Sequence, residues 1–190
     1  MARPYILKRR AEQQSETRQR IVEAAVELHS SLGPARTSLS MVAERAGVQR
    51  HTLYAHFPDE RSLHMACSGL ALERDPLPDP DAWAALPEGS ARVGAGIGAL
   101  FGWYARNADL AACVLRDAEA HEVTREIVGL RFGPPMRRAT EVLNEGLSAP
   151  QRAMLHLMMG YPAWRSLVQE SGLSQEDAVA VAVRAVEQSG

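Results

Sequence analysis

Gly47 is the residue that most restricts what this chain can become. On its N-terminal side Ser38 is a good N-cap for a short helix whose apolar residues Leu39, Val42, Ala43 and Ala46 share one face. On its C-terminal side residues 49–57 carry Leu53 and Phe57 four apart, with Val48 plugging the corner. Two helices this close need a sharp turn, and a glycine takes the left-handed backbone conformation at little steric cost. Such an elbow is the design of a helix-turn-helix, whose second helix offers its N-terminal end and outer face to the major groove.

Helical periodicity continues on both sides and no strand pattern is needed, so the expected fold class is all-α. Residues 16–31 keep Ile21, Ala24, Ala25, Leu28 and then Leu32 on one face, and Gly33-Pro34 supplies a stop. A further helix is expected from Asp59, its cap, past Leu63, Cys67 and Leu70. Pro76, Pro78 and Pro80 then interrupt the helical pattern. Beyond them, residues 91–107, 110–121, 137–147, 151–170 and 175–188 accept helical templates. The chain is thus expected to divide into a basic arm (1–14), a DNA-binding head (15–75, helix-turn-helix about 38–57) and a C-terminal body (76–190).

Composition agrees with a folded protein: of 190 residues, 46% are hydrophobic and 23% charged, which excludes the charged, apolar-poor class of disordered chains. Cys67 and Cys113 form no metal-binding spacing, and no stretch is long and apolar enough to span a membrane. The expectation is a soluble cytoplasmic protein in a reducing compartment. The formal net charge of -2 conceals a division. Residues 1–65 hold ten basic and seven acidic side chains, and the remainder eleven and sixteen. A basic head on an acidic body suggests that only the head meets a polyanion. Arg3, Lys8, Arg9 and Arg10 begin the arm, which reads equally as a phosphate- or groove-tracking element or as a solvated tail.

With Leu53 and Phe57 inward, Arg50, His51 and Tyr54 turn outward and Thr52 lies at the flank. Arg50 and His51 have the chemistry to donate to base edges, an arginine reaching guanine O6 and N7 together. Tyr54 and His56 suit phosphate oxygens. From the first helix ending at Leu32-Gly33, through Val42-Ala43-Glu44-Arg45-Ala46-Gly47-Val48 and Thr52-Leu53-Tyr54-x-His56-Phe57-Pro58, to Leu63, the chain resembles the TetR family of transcriptional regulators. The resemblance covers roughly residues 15–75. It implies an all-helical homodimer that binds a palindromic double-stranded DNA operator as a repressor and is released by a small-molecule effector held in the body. Its usual DNA contacts fall on Ser38, Arg50, His51, Thr52, Tyr54 and His56. Two residues depart from the pattern: Gln49 stands where a small hydroxyl residue is usual, and Glu60 where a lysine aims at phosphate. Arg61 is the imperfect replacement.

In the body, the apolar faces of residues 151–170 and 175–188 exceed what one protomer needs, suggesting half of a four-helix dimer interface. Met158, Tyr161, Val179, Ala182, Val183 and Val186 are its candidate members, a placement the resemblance shares. Gly94, Gly98 and Gly102 recur four apart, from close helix approach or from a void left for an effector. Phe101, Trp103, Tyr104, Met136, Met154 and Met158 are candidate apolar lining, or plain core. Cys113, Asp117 and His121, spaced i, i+4, i+8, read as ordinary structure, as polar effector contacts together with Arg116, or as a metal or redox sensor. No cofactor and no metal is expected. The chain lacks a nucleophile elbow, a phosphate-binding glycine loop and a zinc-protease motif, so an enzyme, with Cys113 and His121 as its only candidates, is the competing class.

Overall fold

The computed structural model describes the backbone of residues 2–190 and the side chains of residues 8–190; the arm's Arg3 side chain lies outside the described residues. Every long regular element among the described residues is helical, and no strand occurs there. The chain divides into two compact units.

The first unit runs to Arg74 and also takes in Ala112–Gly129. Its helices α1 (Ala2–Ser31), α2 (Leu39–Arg45), α3 (Arg50–His56) and α4 (Glu60–Arg74) enclose one core, with α1 packed on α2 and α4. Ile21, Ala25, Val42, Leu53, Phe57 and Leu63 fill it, each at most 1% exposed. α1 starts well before the position that periodicity indicates. Residues 2–15 have no apolar stripe to signal a helix, yet alanine, glutamate, glutamine, lysine and arginine are good helix formers. α1 ends at Ser31, and the chain turns at Gly33, where φ is +98°. The remainder of this unit comes from the last part of α7 (Ala108–Ala118) and the start of α8 (Glu122–Leu143).

The second unit comprises Asp75–Ala111 and Leu130–Gly190. Its axis is α6 (Ser90–Arg106), against which α5 (Asp81–Ala84), α10 (Tyr161–Trp164) and α11 (Gln175–Glu187) pack; α9 (Ala149–Met158) packs on α11. Gly96 of α6 lies under the Leu143 side chain so closely that an added Cβ would collide with it. Gly94 and Gly98 face Val183 and Val179 of α11 at ordinary contact distance. At Gly96, helix approach is therefore what requires the glycine.

Two expectations are corrected here. The helix expected over residues 137–147 begins at Glu122 and contains Pro134 and Pro135, each of which removes one helical N–H donor. Ala139, Val142 and Leu143, buried on its C-terminal part, offset that loss. The single helix expected over residues 151–170 is interrupted instead. α9 stops at Met158, α10 restarts at Tyr161, and a π-helical turn over Arg165–Glu170 follows. Pro162 has no N–H to give the Met158 carbonyl, so a continuous helix is blocked at that point.

Candidate nucleic-acid interface

Ser38 caps α2: its Oγ accepts the Met41 N–H at 3.3 Å. At the far end Gly47 has φ +65°, and the Val48 N–H returns to the Ala43 carbonyl at 2.9 Å. The elbow is thereby closed by its own backbone, and α3 starts three residues later. Leu53 and Phe57 are wholly buried beneath α3. That burial fixes the rotation of the helix, and the opposite side follows from geometry. Arg50, His51 and Tyr54 are exposed, and Thr52 and His56 are half-buried at its edges. Tyr54 is 43% exposed, an unusual position for an aromatic ring with nothing to cover it.

The cations around this surface are not equally available. Arg61 is held bidentately by Glu126, with Nη2 to Oε1 at 2.7 Å and Nε to Oε1 at 2.9 Å. The pair holds the guanidinium above its usual pKa and the Glu126 carboxyl below the usual carboxylate range. Arg61 therefore does not stand free as a substitute for the missing lysine. Arg45 pairs with Glu27 at 2.6 Å and Arg74 with Glu23 at 2.9 Å. Sequence reasoning missed the Glu126 partner because it lies 65 positions from Arg61.

Glu60, the departure from the family pattern, also has a structural partner set. Its Oε1 lies 3.4 Å from Nε2 of His64 and 3.4 Å from Nε2 of His121. His64 stacks edge-on against His29, ring centroids 4.7 Å apart, and the Cys67 Sγ lies 3.4 Å from His29 Nδ1. Burial, then the neighbouring His64, lowers the His29 pKa to about 3. Burial, then His121, lowers that of His64 to about 4.

The candidate effector residues separate between the two units. Cys113, Arg116, Asp117 and His121 belong to the first, where each has its own partner. Cys113 Sγ donates to the Ser30 carbonyl at 3.4 Å, and Arg116 donates to Asp117 at 2.8 Å and to the Leu32 carbonyl at 3.1 Å. Asp117 accepts the Ala35 N–H at 2.9 Å, and His121 Nδ1 meets Thr124 Oγ1 at 2.7 Å. Among the described residues no group of three histidine, cysteine or acidic side chains is arranged to hold a metal ion. The i, i+4 spacing that suggested a sensor is thus taken up by separate structural contacts.

Phe101, Trp103, Tyr104, Met136, Met154 and Met158 belong to the second unit. Phe101, Trp103 and Tyr104 are core residues at 0%, 2% and 6% exposure. Trp103 Nε1 donates to the Asp75 carbonyl at 3.1 Å, and the Tyr104 hydroxyl donates to that of Met159 at 3.0 Å. Burial pushes the Tyr104 pKa up to about 12. Met136, Met154 and Met158 are half-buried. Of the candidate dimer residues, Tyr161, Ala182 and Val186 are buried within their own protomer, at 5%, 0% and 2%, and have almost no surface to offer a partner. Met158, Val179 and Val183 keep partial exposure, and Leu157 beside them is 60% exposed.

Fold and surface together define a class: an all-helical protein with an N-terminal helix-turn-helix whose recognition helix is exposed. Residues 21–66 match the family described as bacterial regulatory proteins, tetR family. The chain is 41% identical over 61 residues to the HTH-type transcriptional regulator TtgR of Pseudomonas putida, covering 32% of this chain and 29% of that one. It is 46% identical over 48 residues to the HTH-type transcriptional regulator AcrR of Shigella flexneri, covering 25% and 22%. The chain thus matches less than a third of the length of either relative. Two solved structures share the fold over most of their length. The HlyIIR mutant protein aligns with TM-score 0.68 at 14% identity, over 90% of this chain and 97% of that one. The transcriptional regulator FadR from Bacillus subtilis, in complex with stearoyl-CoA, aligns with TM-score 0.60 at 18% identity, over 89% and 95%.

Proposed function

We propose that this chain is a DNA-binding transcriptional regulator that acts as a homodimer on a palindromic operator and is released by a small-molecule effector. The observation that carries the reading is the division of α3 into a buried side, Leu53 and Phe57, and an exposed side, Arg50, His51 and Tyr54. Arg50 and His51 on the free side are suited to base edges, while Tyr54, with Ser38, Thr52 and His56 at the margins, is suited to phosphate and sugar. Two copies read a palindrome when their recognition helices lie about 34–36 Å apart. The half-buried Met158, Val179 and Val183, with the exposed Leu157, are the apolar surface through which α9 and α11 would pair with a second copy.

Release requires an effector that binds one arrangement of the dimer better than the other. The stearoyl-CoA in FadR is a property of that protein; here the half-buried Met136, Met154 and Met158 are the candidate contacts in the second unit. The direct test is a gel shift on the sequence that the protein selects from a random duplex library. Replacing Arg50 and Tyr54 by alanine is expected to abolish the shift without unfolding the protein, and unchanged binding would reject the assignment. Sedimentation of Leu157→Glu tests the dimer, which is expected to become monomeric.

A further inference from the structure

α1 continues far beyond the core it helps to build. Ile21 is its first buried residue among those described, and residues 8–16 are all exposed, so more than two described turns stand in solvent. No packing explains this projection, but its acids are confined to one side, which Arg9 and Arg20 share. At about 100° per residue, Glu12, Glu16, Glu23 and Glu27 fall within an arc of about 60°. Arg10 and Arg18, with Gln14 and Thr17 between them, lie on the opposite side of the helix, and no acid shares that side.

The two sides have different surroundings. On the acidic side Glu23 and Glu27 are engaged by Arg74 and Arg45. On the cationic side the Arg18 guanidinium sits over the Phe57 ring, 4.7 Å from its centroid. Phe57 closes α3, so the cationic side of α1 is the one joined to the end of the recognition helix. Arg10 lies about 12 Å further along the same side, two turns nearer the N-terminus. Among the described residues it has no carboxylate partner, whereas Lys8, off this side, is 3.9 Å from Glu12.

We propose that the projecting turns of α1 form a second DNA-contacting element, a rod whose Arg10 and Arg18 engage the sugar–phosphate backbone beside the groove entered by α3. Charge complementarity names the partner: a polyanion with closely spaced phosphates matches an acid-free row of arginine, glutamine and threonine. The contact adds affinity and carries no sequence information. It rests on the DNA-binding reading of α3, and its test separates the two.

The experiment measures binding of the full chain to a long mixed-sequence duplex over a series of salt concentrations, and to the same duplex carrying the selected operator. Each phosphate contact contributes about 0.9 to the slope of log K against log salt. Arg10→Ala is expected to lower the slope by about that amount on both duplexes. Arg9→Ala removes the same charge from the acidic side and is expected to leave the slope at the wild-type value. Arg18→Ala is expected to behave as Arg10→Ala, and Arg10, exposed and remote from the core, keeps the test independent of any disturbance at Phe57. Equal slopes for Arg9→Ala and Arg10→Ala would overturn the rod while leaving the role of α3 intact. Failure of the wild-type chain to bind either duplex would overturn both.

Discussion

The Asp117 carboxylate accepts the backbone N–H of Ala35 at 2.9 Å, joining residues 82 positions apart in the chain. Asp117 is 7% exposed and also receives Arg116, so one buried carboxylate holds the turn between α1 and α2 against the end of α7. Asp117→Ala leaves the Ala35 N–H without its acceptor. The expected loss is about 1.5–3 kcal/mol, the contribution of a hydrogen bond to a charged acceptor. A urea unfolding midpoint equal to that of the wild type would show that the bond contributes nothing.

Gly47 and Gly33 both have left-handed backbone, but their surroundings differ. A Cβ at Gly47 meets nothing, so Gly47→Ala carries only the backbone penalty of about 1–2 kcal/mol. At Gly33 a Cβ would collide with the Asp117 and Arg116 side chains as well. Gly33→Ala is therefore expected to lower the thermal midpoint further than Gly47→Ala, and the reverse order would contradict the described packing.

Acid should destabilise the protein through its buried imidazoles. In the folded state His29 and His64 take up protons only near about 3 and about 4, against an ordinary value of 6.5. Below pH 6.5 the unfolded chain therefore binds more protons than the folded one, and stability falls with pH. The contribution is absent above that value and has its full destabilising effect once pH drops below the folded-state values. Unfolding free energies measured from about pH 7 down to pH 4 should decline, with a shallower slope in His64→Gln. Parallel slopes for the two proteins would exclude His64 as a source of the acid sensitivity.

Arg61, beside the recognition helix, is already paired with Glu126. Glu126→Gln is expected to free it for phosphate and to raise affinity for duplex DNA, whereas Arg61→Ala in the wild-type background changes affinity little. A titration in which Glu126→Gln binds no better than wild type would remove Arg61 from the interface.

What could be read from the sequence was local. Ser38, Gly47, Leu53 and Phe57 are close together in the chain, and capping, turn conformation and helical period act over that same range. The missed features are of two kinds. The early start of α1 and the helix through Pro134 and Pro135 carry the wrong local signal: a polar helix shows no stripe, and a proline pair reads as a stop. The others depend on distant partners, such as Glu126 for Arg61 or Thr124 and Glu60 for His121, and spacing along one helix does not reveal them.

By itself the amino-acid order determined that the chain is helical, that an elbow stands at Gly47, and that one side of α3 is apolar and the other rich in donors. Those properties depend on φ preference and on a period of 3.6, both fixed within a few residues. Only the tertiary structure decided which charged groups remain available. Arg61 is neutralised, Cys113 and Asp117 are drawn into separate backbone contacts, and Ala182 and Val186 are buried within their own protomer. Pairing and burial depend on which surfaces meet, and these are brought together by packing between segments tens of residues apart.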